Sequence, residues 1–183
     1  WKNNGVGILP NHNSSWNNKY KVAFALIDHQ TNKVVYQFNE SSDNVNAGDW
    51  RMGNNYRYQT NFVLPDNIAD GKYKLATAIV NEKLNYSPDI RLAMSEMEIT
   101  KDGWYVLDDV YVARNECQLT IENDENGKVD VDKKAFKVGD QLNITITPKE
   151  GYALDKVIIN DKEIPVEGNQ IKYFVETPTV CIK

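Results

Sequence analysis

Histidine and cysteine are scarce in this chain of 183 residues, with two of each. Only His12 and His29 could act as an imidazole base, and no Gly-x-Ser-x-Gly elbow is present. His12 lies in an Asn/Ser loop. His29 closes an apolar run beside Asp28 and Gln30, where a turn is expected. Both read as solvated histidines, because a triad needs three converging groups. Two His and two Cys, scattered, lack the ligand spacing of a transition-metal site. Cys117 shares its parity with Leu119 and Ile121, read as inward, whereas Cys181 is out of phase with Val180 and Ile182. Opposite faces argue against a bridge, which needs Cβ atoms about 4 Å apart. No apolar run reaches the roughly eighteen residues of a spanning helix, so no membrane insertion is expected. The 21 basic and 26 acidic residues leave a net charge of −5. A negative surface repels phosphate backbones, which disfavours nucleic acid as a partner. No signal peptide is found, and Trp1 is no natural start, so the expectation is either a mature fragment or an excised segment.

Asparagine is abundant: 22 copies, six within the first 18 positions. Asn suits turns and left-handed backbone, and so suits loops between many short strands. The apolar share of 41% is enough for a packed core. The chain divides near Ala113–Glu116 into domains 1–114 and 115–183. All four Trp fall before that boundary and none after it. In the first domain, Val22–Asp28 is apolar on both faces and predicts a central strand. Further strands are predicted at Val34–Phe38, Tyr56–Leu64, Tyr73–Ile79, Ile90–Met94 and Trp104–Val112. In the second, Cys117–Ile121 and Lys128–Val131 flank Asn126-Gly127, a strong hairpin signal. Gln141–Thr147, Ala153–Asn160, Glu163–Val166, Gln170–Val175 and Thr179–Ile182 follow as strands. No stretch keeps a helical period. The expectation is an all-β protein: an Ig-like antiparallel β-sandwich, then a small, equally β-rich domain with a thin core.

Several short motifs occur in a fixed order. They are Trp1-Lys2-Asn3-Asn4-Gly5-Val6-Gly7, Val22–Asp28, Trp50, Leu64-Pro65, Asp70-Gly71-Lys72-Tyr73, Ile90-Arg91-Leu92-Ala93 and Asp102-Gly103-Trp104-Tyr105. In that order residues 1–112 resemble the β-sandwich module of unknown function that follows a TIM barrel in bacterial glycoside-hydrolase-like proteins. The family usually opens with a strand ahead of the Trp-x-Asn-x-Gly segment, and that strand and the barrel are missing here. Val138-Gly139-Asp140, Ile144–Pro148, Gly151-Tyr152 and Val157–Asn160 carry a second likeness. Through them residues 117–182 resemble the bacterial surface repeat related to the internalin B-type repeat, which implies a compact β-grasp-like fold for this domain. The resemblances imply a secreted or cell-surface bacterial setting.

Glycoside hydrolysis needs two carboxyls about 5–10 Å apart across a cleft. Asp108-Asp109 is the obvious pair, but neighbours on a strand point to opposite faces. No catalytic residues are therefore assigned. Glu122-x-Asp124-x-Asn126-Gly127, with Asp130 at the ninth place, mimics the start of a calcium loop, yet Lys133 stands where a bidentate carboxylate belongs. No cofactor is implied, although Asp43, Asp49 and nearby carbonyls leave room for a structural calcium. Sugar binding needs exposed rings beside amides and hydroxyls. Trp16, flanked by Asn13, Ser14, Ser15, Asn17 and Asn18, fits best. Trp50 lies between Asp49 and Arg51, with Tyr56 close by, and joins it as a candidate. The recurrence of Trp50 and Trp104 in the resembled sandwich also suits packing. The expectation is a non-enzymatic, monomeric accessory or spacer region of a glycan-degrading or glycan-attaching protein. Its partners would be a polysaccharide or a neighbouring catalytic or anchoring module. The alternatives are a carbohydrate-binding module and an adhesin segment that grips a partner protein by a strand edge.

Overall fold

A computed structural model of the chain describes residues 20–39, 50, 52–57, 61, 63–94, 96–122, 125–166 and 168–183. The described residues are all-β, without an α-helix. They contain no helix long and apolar enough to cross a membrane. The chain divides into two compact units. One comprises Trp1–Ile68 and Tyr73–Val110, the other Ala69–Lys72 and Tyr111–Lys183.

The first unit is organised by β1 (Tyr20–Asp28), β2 (Val34–Asn39), β3 (Gly71–Asn81), β4 (Ser87–Ile90) and β5 (Tyr105–Val112). The sheet runs β2-β1-β3-β4, with β5 also paired to β3. β1 is central, as its two-sided apolar pattern predicts. Its hairpin with β2 turns where Asp28 Oδ1 accepts from the Thr31 amide at 2.7 Å and hydroxyl at 2.6 Å. Asn32 takes the left-handed conformation there, which Asn tolerates. The β1–β3 register sets Ala23 opposite Ala78 and Ala25 opposite Ala76. Trp104 covers this alanine face. The other face carries Tyr20, Val22 and Ile79, with Trp50 packed against them.

Two of the short sequence motifs interlock here. Gly103 adopts φ +93 to close a turn in which the Trp104 amide donates to the Thr100 hydroxyl at 3.0 Å. That turn delivers Trp104 to the alanine face. The fully buried Tyr105 hydroxyl donates to the Leu92 carbonyl at 2.9 Å and accepts from the Leu92 amide at 2.6 Å. The segment after β4 is thereby fixed without a strand. Ile90–Met94, predicted as a strand, is one only at its first residue; β4 lies earlier.

The predicted strand Tyr56–Leu64 is corrected in part. Tyr56, Asn61, Val63 and Leu64 are in irregular backbone, while Tyr58, Thr60 and Phe62 lie outside the described residues. Val63 is 89% exposed, so alternation alone did not secure a sheet neighbour.

The second unit stacks two sheets around one core. Its strands are β6 (Gln118–Ile121), β7 (Gly127–Val131), β8 (Gln141–Pro148), β9 (Val157–Ile159), β10 (Lys162–Ile164), β11 (Gln170–Phe174) and β12 (Thr179–Ile182). The orders are β10-β9-β12-β6 and β11-β8-β7. Both sheets feed a shared core that includes Leu142, Ile144, Ile159, Ile171, Val180 and Ile182. Each such side chain contributes about 1.5–3 kcal/mol on burial. Gln141, Asn143 and Thr145 alternate to the opposite side of β8.

The Asn126-Gly127 hairpin is a second correction. Glu125 and Asn126 do form a turn, but β6 and β7 belong to different sheets. β6 pairs in parallel with β12, and β7 pairs with β8. The turn therefore carries the chain from one layer to the other. A two-residue hairpin turn occurs instead at Asn160-Asp161, both at positive φ, between β9 and β10. Asn160 also clamps β12: its side chain accepts from the Cys181 amide at 2.8 Å and donates to the Thr179 carbonyl at 2.9 Å.

Candidate functional site

Trp16, the leading sugar-stacking candidate, lies outside the described residues, as do His12, Asp43 and Asp49. Trp50 is 5% exposed and stacks on Tyr56 with ring centroids 5.2 Å apart and planes 11° from parallel. Tyr56 is half-buried beside it. The structure brings these two candidates together, but as packing on the Val22 and Ile79 face. A ring this deeply covered has no open face for a pyranose. Its polar sequence neighbours gave no sign of this, because the covering groups come from distant strands.

His29 and Asp109 were not paired from sequence. Their Nε2 and Oδ2 atoms stand 3.7 Å apart, with side chains 35% and 41% exposed. This is a solvated imidazole–carboxylate pair of the weak surface kind. No hydroxyl or thiol is hydrogen-bonded to His29 among the described residues. Asp108 and Asp109 are both exposed on β5. Asp108 Oδ1 accepts from the Asp109 amide at 2.8 Å and so is spent on local backbone.

Of the calcium-like stretch, Asp130 and Glu122 lie beside lysines, and Asp124 lies outside the described residues. Asp130 Oδ1 lies 2.7 Å from Lys128 Nζ, and Glu122 Oε2 lies 3.6 Å from Lys183 Nζ. Glu122, then Asp161, hold the Lys183 ammonium above its ordinary pKa. Among the described residues no three His, Cys, Asp or Glu side chains gather as a metal-ligand group.

Cys117 and Cys181 are both free and half-buried. Burial pushes the Cys117 thiol up, and the Asp70 and Asp140 carboxylates push it further. A thiol kept protonated is a poor nucleophile. Asp70 serves the backbone, since its Oδ2 accepts from the Asn115 amide at 2.7 Å and the Arg114 amide at 3.0 Å. Lys72, from the same segment, pairs with Glu176 at 2.8 Å. These bonds hold Ala69–Lys72 within the second unit.

One concavity stands out. At one end of the second unit's two sheets lies a cleft of about 390 Å³. Val129, Ile146, Leu154, Val157 and Ile182 supply apolar lining. Glu122, Lys128, Asp155, Lys156 and Lys183 supply charges of both signs. Tyr152 completes the lining and is 58% exposed. Its turn is well anchored. Gly151 adopts φ +84, the Tyr152 amide donates to the Lys149 carbonyl at 3.0 Å, and the Lys149 amide donates to the Asn126 carbonyl at 2.8 Å. From sequence, Gly151-Tyr152 contributes to the second likeness and is not singled out as a binding residue. The available signal was an aromatic placed directly after a turn glycine, ahead of the next strand.

Comparison of the chain with protein-family models, curated proteins and solved structures gives no match.

Proposed function

We propose that this chain is a non-catalytic accessory region, two β-modules in tandem, of a secreted or surface-attached bacterial protein that degrades or attaches to glycans. The observation that carries the non-catalytic part is the make-up of the interior. Among the described residues, aromatic side chains aside, the buried polar side chains are Thr77 and Asn81. Thr77 donates to the Ala23 carbonyl at 2.9 Å. Asn81 donates to Asp89 at 3.0 Å and accepts from the Lys83 amide at 3.0 Å. Both serve the backbone or a neighbour. Enzymes keep desolvated titratable groups in a cleft so as to tune their pKa values, whereas the buried Tyr105 hydroxyl is spent on the Leu92 backbone. The glycan setting rests on the two sequence resemblances, on residues 1–112 and 117–182.

The role of such a region is geometric: stable β-modules space and present a catalytic or anchoring neighbour. Two measurements test it. The purified chain should turn over none of a panel of chromogenic glycosides, and turnover by it overturns the proposal. In the full-length parent, deletion of residues 1–183 should leave the rate on a soluble substrate within about twofold, since no transition-state group is removed. A larger loss at unchanged folding of the remainder counts against it.

The carbohydrate-binding reading has one specific observation in its favour, the exposed Tyr152 at an apolar cleft.

A further inference from the structure

We infer that the Tyr152 cleft of the second unit is a binding subsite for a neutral pyranose chain, an inference that rests on the glycan setting proposed above. Three features of the lining select this ligand class. The first is size: a cleft of about 390 Å³ falls in the range of small-ligand pockets, roughly 300–1,000 Å³. The second is the join of an exposed aromatic ring to an apolar floor. A pyranose offers a C–H face that packs on such a ring and leaves its hydroxyls at the edge. Ile146, Val157 and Ile182 are each nearly fully buried and give the floor a fixed shape.

The third feature is charge balance. Lys128 is held by Asp130, and Lys183 lies between Glu122 and Asp161 at 3.6 and 3.8 Å. Asp155 and Lys156 are exposed and form no ion pair among the described residues. One carboxylate to accept and one ammonium to donate suit the paired donor and acceptor character of sugar hydroxyls. A strongly anionic or cationic ligand would meet as much repulsion as attraction at this rim. The anchored turn under Tyr152 keeps the ring presented before the ligand arrives, which lowers the ordering cost of binding.

The test is a titration of the full chain with cellohexaose, xylohexaose and mannohexaose, followed by amide chemical shifts. At roughly millimolar ligand, the affinity range of about −4 kcal/mol, at least one should move the amides of Tyr152–Lys156 and Lys183. Tyr152→Ala should weaken that binding about tenfold, and Tyr152→Phe should retain it. Because Tyr152 is 58% exposed, the alanine variant should keep the wild-type spectrum elsewhere. The affinity should change less than about twofold between low and high salt, as expected of a neutral ligand. No shifts with any hexasaccharide, or equal binding by Tyr152→Ala, would overturn the site. An apolar peptide that moves these amides where the sugars do not would overturn the ligand class. Loss of the subsite leaves the accessory role standing if glycoside turnover is absent; turnover sinks that role whether or not the cleft binds.

Discussion

In the first unit β1 and β3 lie between two apolar layers: Ala23, Ala25, Ala76 and Ala78 face Trp104, and Tyr20, Val22 and Ile79 face Trp50. In the second unit β8 turns Leu142, Ile144 and Ile146 inward and Gln141, Asn143 and Thr145 outward. The first arrangement joins one small-residue face to one large ring. The second interleaves many medium side chains from two sheets. A floor of methyl groups on a paired backbone cannot move to fill a gap, whereas interleaved Leu, Ile and Val can partly repack. The two units should therefore differ in how loss of a single side chain is felt.

The largest effect is expected at Trp104→Ala. The indole is 2% exposed, so its loss should destabilise the first unit by about 3–5 kcal/mol. Urea unfolding followed by tryptophan fluorescence reads this, because all four Trp belong to the first unit. A change under about 1 kcal/mol would mean that the alanine floor collapses after all. Leu142→Ala, at a fully buried site of the second core, should cost about 2–5 kcal/mol. Far-UV circular dichroism is needed there, since that unit has no Trp. Separate cores predict that the fluorescence midpoint stays put in this variant. A shared shift of both signals would erase the distinction between the units.

Two glycines of the second unit sharpen the comparison at the level of turns. Gly139 has φ +92, and a Cβ there would stand 3.3 Å from Tyr111 Cγ. Gly151 has φ +84 with nothing within 4 Å of that position. Gly139→Ala should cost about 1–3 kcal/mol, from strain plus a displaced ring. Gly151→Ala should cost about 1 kcal/mol, from strain alone. Equal losses in thermal unfolding would show that the Tyr111 ring gives way freely.

Legibility from sequence follows the same division. β12 is predicted at Thr179–Ile182 and occurs there, and β8 differs from its prediction by one residue. In both, one buried face imposes a strict parity. β1 is legible as central because both of its faces are apolar, yet that very pattern hides which residues cover each face. The burial of Trp50 and the alanine-to-Trp104 layer depend on β3, some fifty residues beyond β1. The Asn126-Gly127 turn announces a change of direction, but the partner of β6 is β12, set by a parallel pairing far along the chain. Tyr152 is invisible as a cleft residue in the sequence because the cleft exists only once two sheets meet.

The smallest effect expected is a dependence on acid, and it separates the units by carboxylate. Hydrogen bonds from the Thr31 hydroxyl and amide, against a small opposing effect of burial, hold Asp28 of the first unit below its usual 3.8. In the second unit, burial pushes Asp70 up, but the Asn115 and Arg114 amides together outweigh it and leave the group low. Asp132 is lowered by the Asn143 amide and side chain. A folded-state pKa below the unfolded value stabilises the fold fully above about pH 4, and that contribution fades as pH falls from the unfolded pKa through the folded one. Both units should therefore lose stability below about pH 4, each by a modest amount, because these carboxylates are exposed to solvent. Asp70→Ala removes two charge-assisted bonds at a cost of about 1 kcal/mol near neutral pH. It should also flatten the acid dependence of the circular dichroism signal while leaving that of tryptophan fluorescence as in the parent chain. Parallel acid curves for the variant and the parent would show that Asp70 is no better bonded in the fold than in the unfolded chain.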